Sequence, residues 1–132
     1  MRKTALLRGR EVFKRVAQSG KRIEGKLLRC RYLLLKEPAG CRSKVQVGIK
    51  VPSKTFNAVK RNRVRRLMRE AMRLEYDNFA AALPLSPLHS LKMIVWFNAG
   101  NSASIEKLAL HDVREEMKAL CNTIVSELGD RL

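Results

Sequence analysis

Between Ala58 and Arg73 the sequence reads AVKRNRVRRLMREAMR, six arginines and one lysine in sixteen residues, with Glu70 as the single acid. A guanidinium is planar, permanently charged and carries five donors in a fork that matches phosphate, and it also stacks on bases. The chemistry on offer is the gripping of a polyanion rather than the breaking of a bond. Activating water calls for clustered carboxylates around metal ions or for a histidine base. Residues 1–73 hold only Glu11, Glu24, Glu37 and Glu70 as acids, and Glu11 and Glu24 lie among basic residues where surface pairs are expected. Asp112, Glu115 and Glu116 gather near His111, but on the polar side of an amphipathic pattern, which predicts a solvated face. No catalytic residue is assigned to the chain. Cys30, Cys41 and Cys121 are odd in number and dispersed, with no Cys-x-x-Cys pair and only His89 and His111 as further soft ligands. They are expected as buried or partly buried free thiols, and no metal site is assigned.

The formal charge of +16 is unevenly spread: residues 1–73 carry 23 Lys and Arg against 4 Asp and Glu, whereas residues 74–132 carry 5 against 8. Such a field attracts polyanions, which leaves nucleic acid, an anionic membrane or an acidic protein as partners. Membrane is the poorest fit, because the longest apolar runs, such as MIVWF at Met93–Phe97, are far too short to span a bilayer. The opening MRKTALLRGR has a basic start but only Ala-Leu-Leu where a signal peptide needs a longer apolar stretch, so a soluble cytoplasmic protein is expected. With 132 residues, 45% of them hydrophobic, the chain suits one domain over residues 1–132 with one continuous core.

The elements that must position the arginines follow from periodicity. Val12, Phe13, Val16 and Ala17 in REVFKRVAQSG recur at helical spacing before a Ser19-Gly20 stop, which predicts a first helix over 10–20. KLLRCRYLLL alternates, with Leu28, Cys30, Tyr32 and Leu34 on one face and Leu27, Arg29, Arg31, Leu33 and Leu35 on the other. KVQVGIKV, Lys44–Val51, is a second half-buried strand closed by Pro52. Asn57 is a candidate cap for a helix whose apolar positions run through Phe79 and Leu83, until LPLSPLHS breaks it with Pro84 and Pro87. LKMIVWF then reads as a central strand covered on both faces. After a turn-like NAGNSAS, a last amphipathic helix buries Ile105, Leu108, Val113, Met117, Leu120, Ile124 and Leu128. The order indicates a small α+β or α/β domain.

On a 100° wheel with Val59 at zero, Val64, Leu67, Met68, Ala71 and Phe79 fall within an arc of roughly 80° to 200°. Asn62, Arg65, Arg66, Arg69 and Arg73 occupy roughly 240° to 340°. Like charges at i,i+4 each weaken an isolated helix by a few tenths of a kcal/mol. Glu70, four residues after Arg66, is the local relief expected. An ordinary solvated face mixes its signs, whereas this one does not, so an RNA or DNA backbone is its natural counterpart. Asn62 adds a neutral donor and acceptor suited to a sugar hydroxyl, a base edge or a hydrated ion, or serves as plain surface polarity.

FNAVKRNRVRRLMREAMR, Phe56–Arg73, resembles the Arg-Asn-Arg signature helix of the bacterial ribonuclease P protein component family, and the preceding VGIKVPSK and the opening LLRGREVFKRVAQSG are similar to it as well. The resemblance covers nearly the whole chain. It implies a compact αβββαβα two-layer sandwich, like a ribosomal-protein domain, with a left-handed βαβ crossover where general topology favours the right-handed one. It also implies a role: the protein subunit of a tRNA 5′-maturation endonuclease, in which an RNA subunit with bound Mg²⁺ removes the 5′ leader from precursor tRNA. Partners would be the ribonuclease P RNA and the precursor tRNA with its leader, with no membrane and no protein partner implied. By matching positions, Arg61, Asn62, Arg63, Arg65, Arg66 and Arg69 would contact the catalytic RNA, with Arg73 continuing the stripe. Phe13, Arg29 and Arg31 would line a leader cleft between the first helix and the sheet, although Phe13 also suits the core. The chain departs from the family in having Ala17 and Arg31 where aromatics are common, which implies a cleft relying more on charge than on stacking. The competing class is a structural RNA-binding module, such as a ribosomal or assembly protein.

Overall fold

Strict alternation from Leu28 to Tyr32 sends apolar side chains one way and two arginines the other, and a computed structural model turns that pattern into the second strand of a four-stranded sheet. The structure describes residues 5–36, 45–52, 57–86, 88–98 and 107–131. The expectations for Glu37, Cys41, Lys44, Ser53, Lys54, Phe56, Pro87, Ile105 and the turn at 98–104 beyond Asn98 lie outside the described residues. The order is α1 (Arg10–Ser19), β1 (Lys21–Glu24), β2 (Leu28–Lys36), β3 (Val45–Lys50), α2 (Ala58–Ala82), β4 (His89–Phe97) and α3 (Leu110–Arg131), the expected αβββαβα sequence of an α+β fold. Two bounds differ from the periodicity. β1 is only four residues of mixed polarity, too short to declare itself, and α3 starts at Leu110, so that buried Leu108 packs from the segment before the helix.

The strands lie in the order β1-β2-β4-β3, with β1 antiparallel to β2, β2 antiparallel to β4, and β3 parallel to β4 across the α2 connection. β4 is central, which is why LKMIVWF is apolar without interruption. Leu91, Met93, Val95 and Phe97 join the main core with Leu28, Cys30, Tyr32, Val45 and Val47 of the other strands. On α2 this core takes Val64, Met68, Ala71, Met72 and Phe79, and on α3 it takes Val113, Met117, Leu120, Ile124 and Leu128. The opposite sheet face carries a smaller cluster of Leu7, Val16 and Ile94, with Val12, Phe13, Leu33 and Trp96 around it, and α1 lies across this cluster. Cys30 and Cys121 are free thiols in the main core, and burial pushes the Cys121 thiol up to about 12 and Cys30 further still.

Close approach of α1 to the sheet depends on two glycines. A Cβ at Gly20 would sit 2.5 Å from the Val16 carbonyl oxygen and 3.1 Å from Arg31 Cβ; the Gly20 N–H itself closes the helix onto that carbonyl at 2.8 Å. A Cβ at Gly48 would lie 2.6 Å from two carbons of the Phe13 ring, so the bare backbone of β3 is the surface on which that ring rests. The turn from β1 to β2 is held from the far side. Glu116 of α3 accepts from the backbone N–H groups of Leu27 and Leu28 at 2.6 and 2.8 Å. Arg114 donates to the buried Glu75 at 2.9 Å and ties α3 to α2.

Gly48→Ala is therefore expected to destabilise the protein by about 1–3 kcal/mol in urea unfolding, the usual cost of overpacking. Combining it with Phe13→Leu should recover part of that loss, because the two changes meet at one contact.

Candidate nucleic-acid interface

Helix α2 holds its like charges because its other side is anchored. Val64, Met68, Ala71 and Met72 are wholly buried, while Val59, which lies outside the apolar arc, is 78% exposed. Asn57 caps the helix as its type and position predict, accepting from the Lys60 N–H at 2.9 Å. The cationic stripe is then presented outward in three conditions. Arg66 and Arg69 are exposed and have no hydrogen bond or ion pair among the described residues. Arg65 is steadied by Asn62, whose Oδ1 accepts from its Nη1 at 3.1 Å; this pairing keeps the charge whole and gives Asn62 a positioning contact. Arg73 is engaged by Glu70 through a two-pronged contact, with Nε to Oε2 at 3.0 Å and Nη2 to Oε1.

The expected Arg66–Glu70 relief is thus replaced by Glu70–Arg73, with the acid N-terminal to the base, the order that agrees with the helix dipole. The hydrogen bond from Arg73 holds the Glu70 carboxyl below its ordinary range and raises the guanidinium. Arg61 and Arg63 flank the stripe, and Arg63 donates to the Leu108 carbonyl at 2.8 Å, so it also fastens the approach to α3.

A second basic surface lies on the sheet face that α1 half covers. Register puts Glu24, Arg29, Trp96 and Lys50 in one row across β1, β2, β4 and β3, and Arg22, Arg31, Ile94 and Gly48 in the next. Helix α1 packs over the second row and leaves the first open. Arg29 is exposed, with its Cζ 5.9 Å from the Trp96 ring centroid. Arg31 is half-buried and donates to the Ala17 carbonyl at 2.6 Å, satisfying an orphan acceptor in the last turn of α1. Phe13 is half-buried against Gly48, and Lys50 Nζ stands 5.0 Å from its ring centroid. Because residue 17 is only alanine, a cavity of about 230 Å³ opens beside it, bounded by Arg22, Glu24, Arg29, Arg31 and Trp96.

Trp96 and Lys50 were not singled out from the sequence. The signal was present in the parity of KMIVWF and VGIK, but it becomes readable only once β4 is known to lie between β2 and β3.

The acids expected near His111 part company. Asp112 accepts from the Ala109 N–H at 3.1 Å and caps the start of α3, whereas Glu116 is committed to the β1–β2 turn. Glu24 pairs with Arg22 at 2.7 Å, as a surface pair should. Among the described residues no three His, Cys, Asp or Glu side chains come together as a set of metal ligands, and no helix is long and apolar enough to cross a membrane.

The chain is thus a small α+β domain with an arginine stripe on one side of its sheet and a basic, aromatic-bearing cleft on the other. The family model for ribonuclease P matches residues 1–125, and the chain belongs to that family, whose members are subunits of a tRNA-processing enzyme. It is 36% identical over 101 residues to the ribonuclease P protein component of Coprothermobacter proteolyticus, a match spanning 73% of this chain and 78% of that one. Its fold is shared with the RNase P protein from Thermotoga maritima, with a TM-score of 0.69 at 24% identity over 90% of this chain and 96% of that one. It is shared too with the Staphylococcus aureus RNase P protein, with a TM-score of 0.64 at 15% identity over 90% of this chain and 94% of the other. Membership of the family implies the ribonuclease P RNA as a partner.

The differing conditions of the arginines predict an order of effects on RNA binding. Replacing Arg66 and Arg69 together by Ala should reduce the log–log salt slope of RNA binding by roughly 1.4–1.8, from about 0.7–0.9 per phosphate contact. Arg73→Ala should change the slope less, because Glu70 already neutralises that charge. Filter binding at several salt concentrations, with circular dichroism to verify the fold, measures both.

Proposed function

We propose that this chain is the non-catalytic, RNA-gripping subunit of ribonuclease P, assisting the catalytic RNA in removing the 5′ leader from precursor tRNA. The observation that carries the reading is the pairing of two cationic surfaces of different character on opposite faces of one sheet. The α2 stripe of Asn62, Arg65, Arg66, Arg69 and Arg73, flanked by Arg61 and Arg63, is regular and rich in forked donors, which suits the phosphates of a folded RNA. The cleft beside α1, with Phe13, Arg29 and Arg31, mixes cations with aromatic rings, which suits an unpaired strand such as a leader.

Chemistry is assigned to the RNA. Of the acids near His111, Asp112 caps α3 and Glu116 accepts from the amides of the β1–β2 turn, and the described residues supply no ligand set for Mg²⁺, which in this reading is held by RNA and phosphate. The protein raises the affinity for precursor over product by adding contacts that only a leader can make. In this reading the protein works in the cytoplasm.

Protein freed of RNA is expected to leave precursor tRNA uncut with or without Mg²⁺, and addition of ribonuclease P RNA with Mg²⁺ should produce 5′ processing. Metal-dependent cleavage by the RNA-free protein would overturn the assignment. Within the reconstituted enzyme, Arg29→Ala should weaken precursor tRNA binding several-fold and leave mature tRNA, which lacks the leader, nearly unchanged. Arg29 is the better probe of the two strand arginines, since Arg31 also anchors α1. Equal losses for the two ligands would remove Arg29 from the leader site.

A further inference from the structure

The open row Glu24–Arg29–Trp96–Lys50 has a composition that ordinary sheet faces lack: two exposed cations on either side of a half-exposed indole, with one acid at the end. The other groups of the cleft are committed. The Phe13 ring rests on the Gly48 backbone with Lys50 above it, and the Arg31 guanidinium is given to the Ala17 carbonyl. Trp96 is different. It borders the 230 Å³ cavity beside Ala17, and among the described residues the cation over its ring is Arg29, whose Cζ is 5.9 Å from the centroid.

A planar base between two such groups needs two van der Waals gaps of about 3.5 Å each, so the guanidinium has only to withdraw by about 1 Å to admit one. Single-stranded nucleic acid is held by this combination of a base on an aromatic face and phosphates on neighbouring cations. Glu24 is paired with Arg22, so the charges this row offers a phosphate are those of Arg29 and Lys50, with the indole between them left for the base.

We propose that Trp96 is the stacking platform for one unpaired leader nucleotide, with Arg29 and Lys50 holding the phosphates beside it. The proposal rests on the leader reading above and moves the aromatic contact from α1 to the end of β4. The cleft then keeps a stacking contribution despite Ala17 and Arg31, where a reliance on charge had been expected from those two residues alone.

Trp96 is the only tryptophan in the chain, so its fluorescence reports on this row alone. In enzyme reconstituted with ribonuclease P RNA, precursor tRNA should quench the emission and mature tRNA should not. Trp96→Leu should weaken precursor binding by about 10-fold, within the range of one stacked base, and by a similar factor at two ionic strengths. Trp96→Phe, which keeps an aromatic face, should recover most of that loss, while mature tRNA binds all three proteins alike. Quenching by both tRNAs or by neither overturns the proposal, as does Trp96→Leu binding precursor as tightly as the parent. Trp96→Phe behaving as Trp96→Leu would assign the loss to packing and overturn it too. The leader reading fails separately: it falls if the unmodified enzyme does not prefer precursor to mature tRNA. If that preference is present and is lost in Arg29→Ala but kept in Trp96→Leu, the leader site stands and stacking on Trp96 does not.

Discussion

The arginine stripe exists only because the other side of α2 is buried. A helix bearing repeated arginines at i,i+4 opposes its own formation, and short helices in water are marginal even without such repulsion. Val64, Met68, Ala71, Met72 and Phe79, locked between the sheet and α3, supply the stabilisation that isolated α2 lacks. Fully burying side chains of this kind contributes about 1.5–3 kcal/mol each for the larger ones, against tenths for each like-charge pair. Packing wins by a wide margin, so the charges do not have to be relieved locally. That margin is what permits Arg66 and Arg69 to stand without partners among the described residues.

The two basic surfaces are built on different logics. On α2 the cations are set by helical period and their backbone is rigid, so they form a template for a partner of fixed shape. On the α1 face the spacing is set by strand register, and the floor alternates charge with ring. Gly20 and Gly48 keep α1 low on the sheet, which confines the opening to the row that α1 does not cover. The small residue at position 17 and the indole at position 96 are complementary in this sense: one makes the space and the other lines it.

Much of this was legible in the chain itself. The helix cap at Asn57, the two faces of β2, the central place of LKMIVWF and the buried side of α2 all follow from residue type and period, because each is a local pattern amplified by burial. The α2 stripe was legible for the same reason. What escaped was whatever depends on pairing at long range. β1 is four residues of KRIE and acquires meaning only from its register with Arg29–Tyr32. Glu70 chose Arg73 over Arg66 on grounds of orientation that spacing alone does not weigh. Glu116 read as solvated because nothing local indicates that the amides of Leu27 and Leu28 lie beneath it. The Trp96 row could not be assembled before the strand order β1-β2-β4-β3 was known.

That strand order also bears on how the chain comes into being. β4, which both β2 and β3 need as a neighbour, ends at Phe97, and the carboxylate that fastens the β1–β2 turn arrives later still, at Glu116. During synthesis the whole arginine-rich first half is therefore outside the ribosome before its sheet can close. With mostly non-local pairings still to be made, the domain condenses late and as a unit rather than strand by strand. Until α3 is made, the arginine-bearing helix lacks one of the two surfaces against which it is buried, and the acidic last helix is the piece that completes that core.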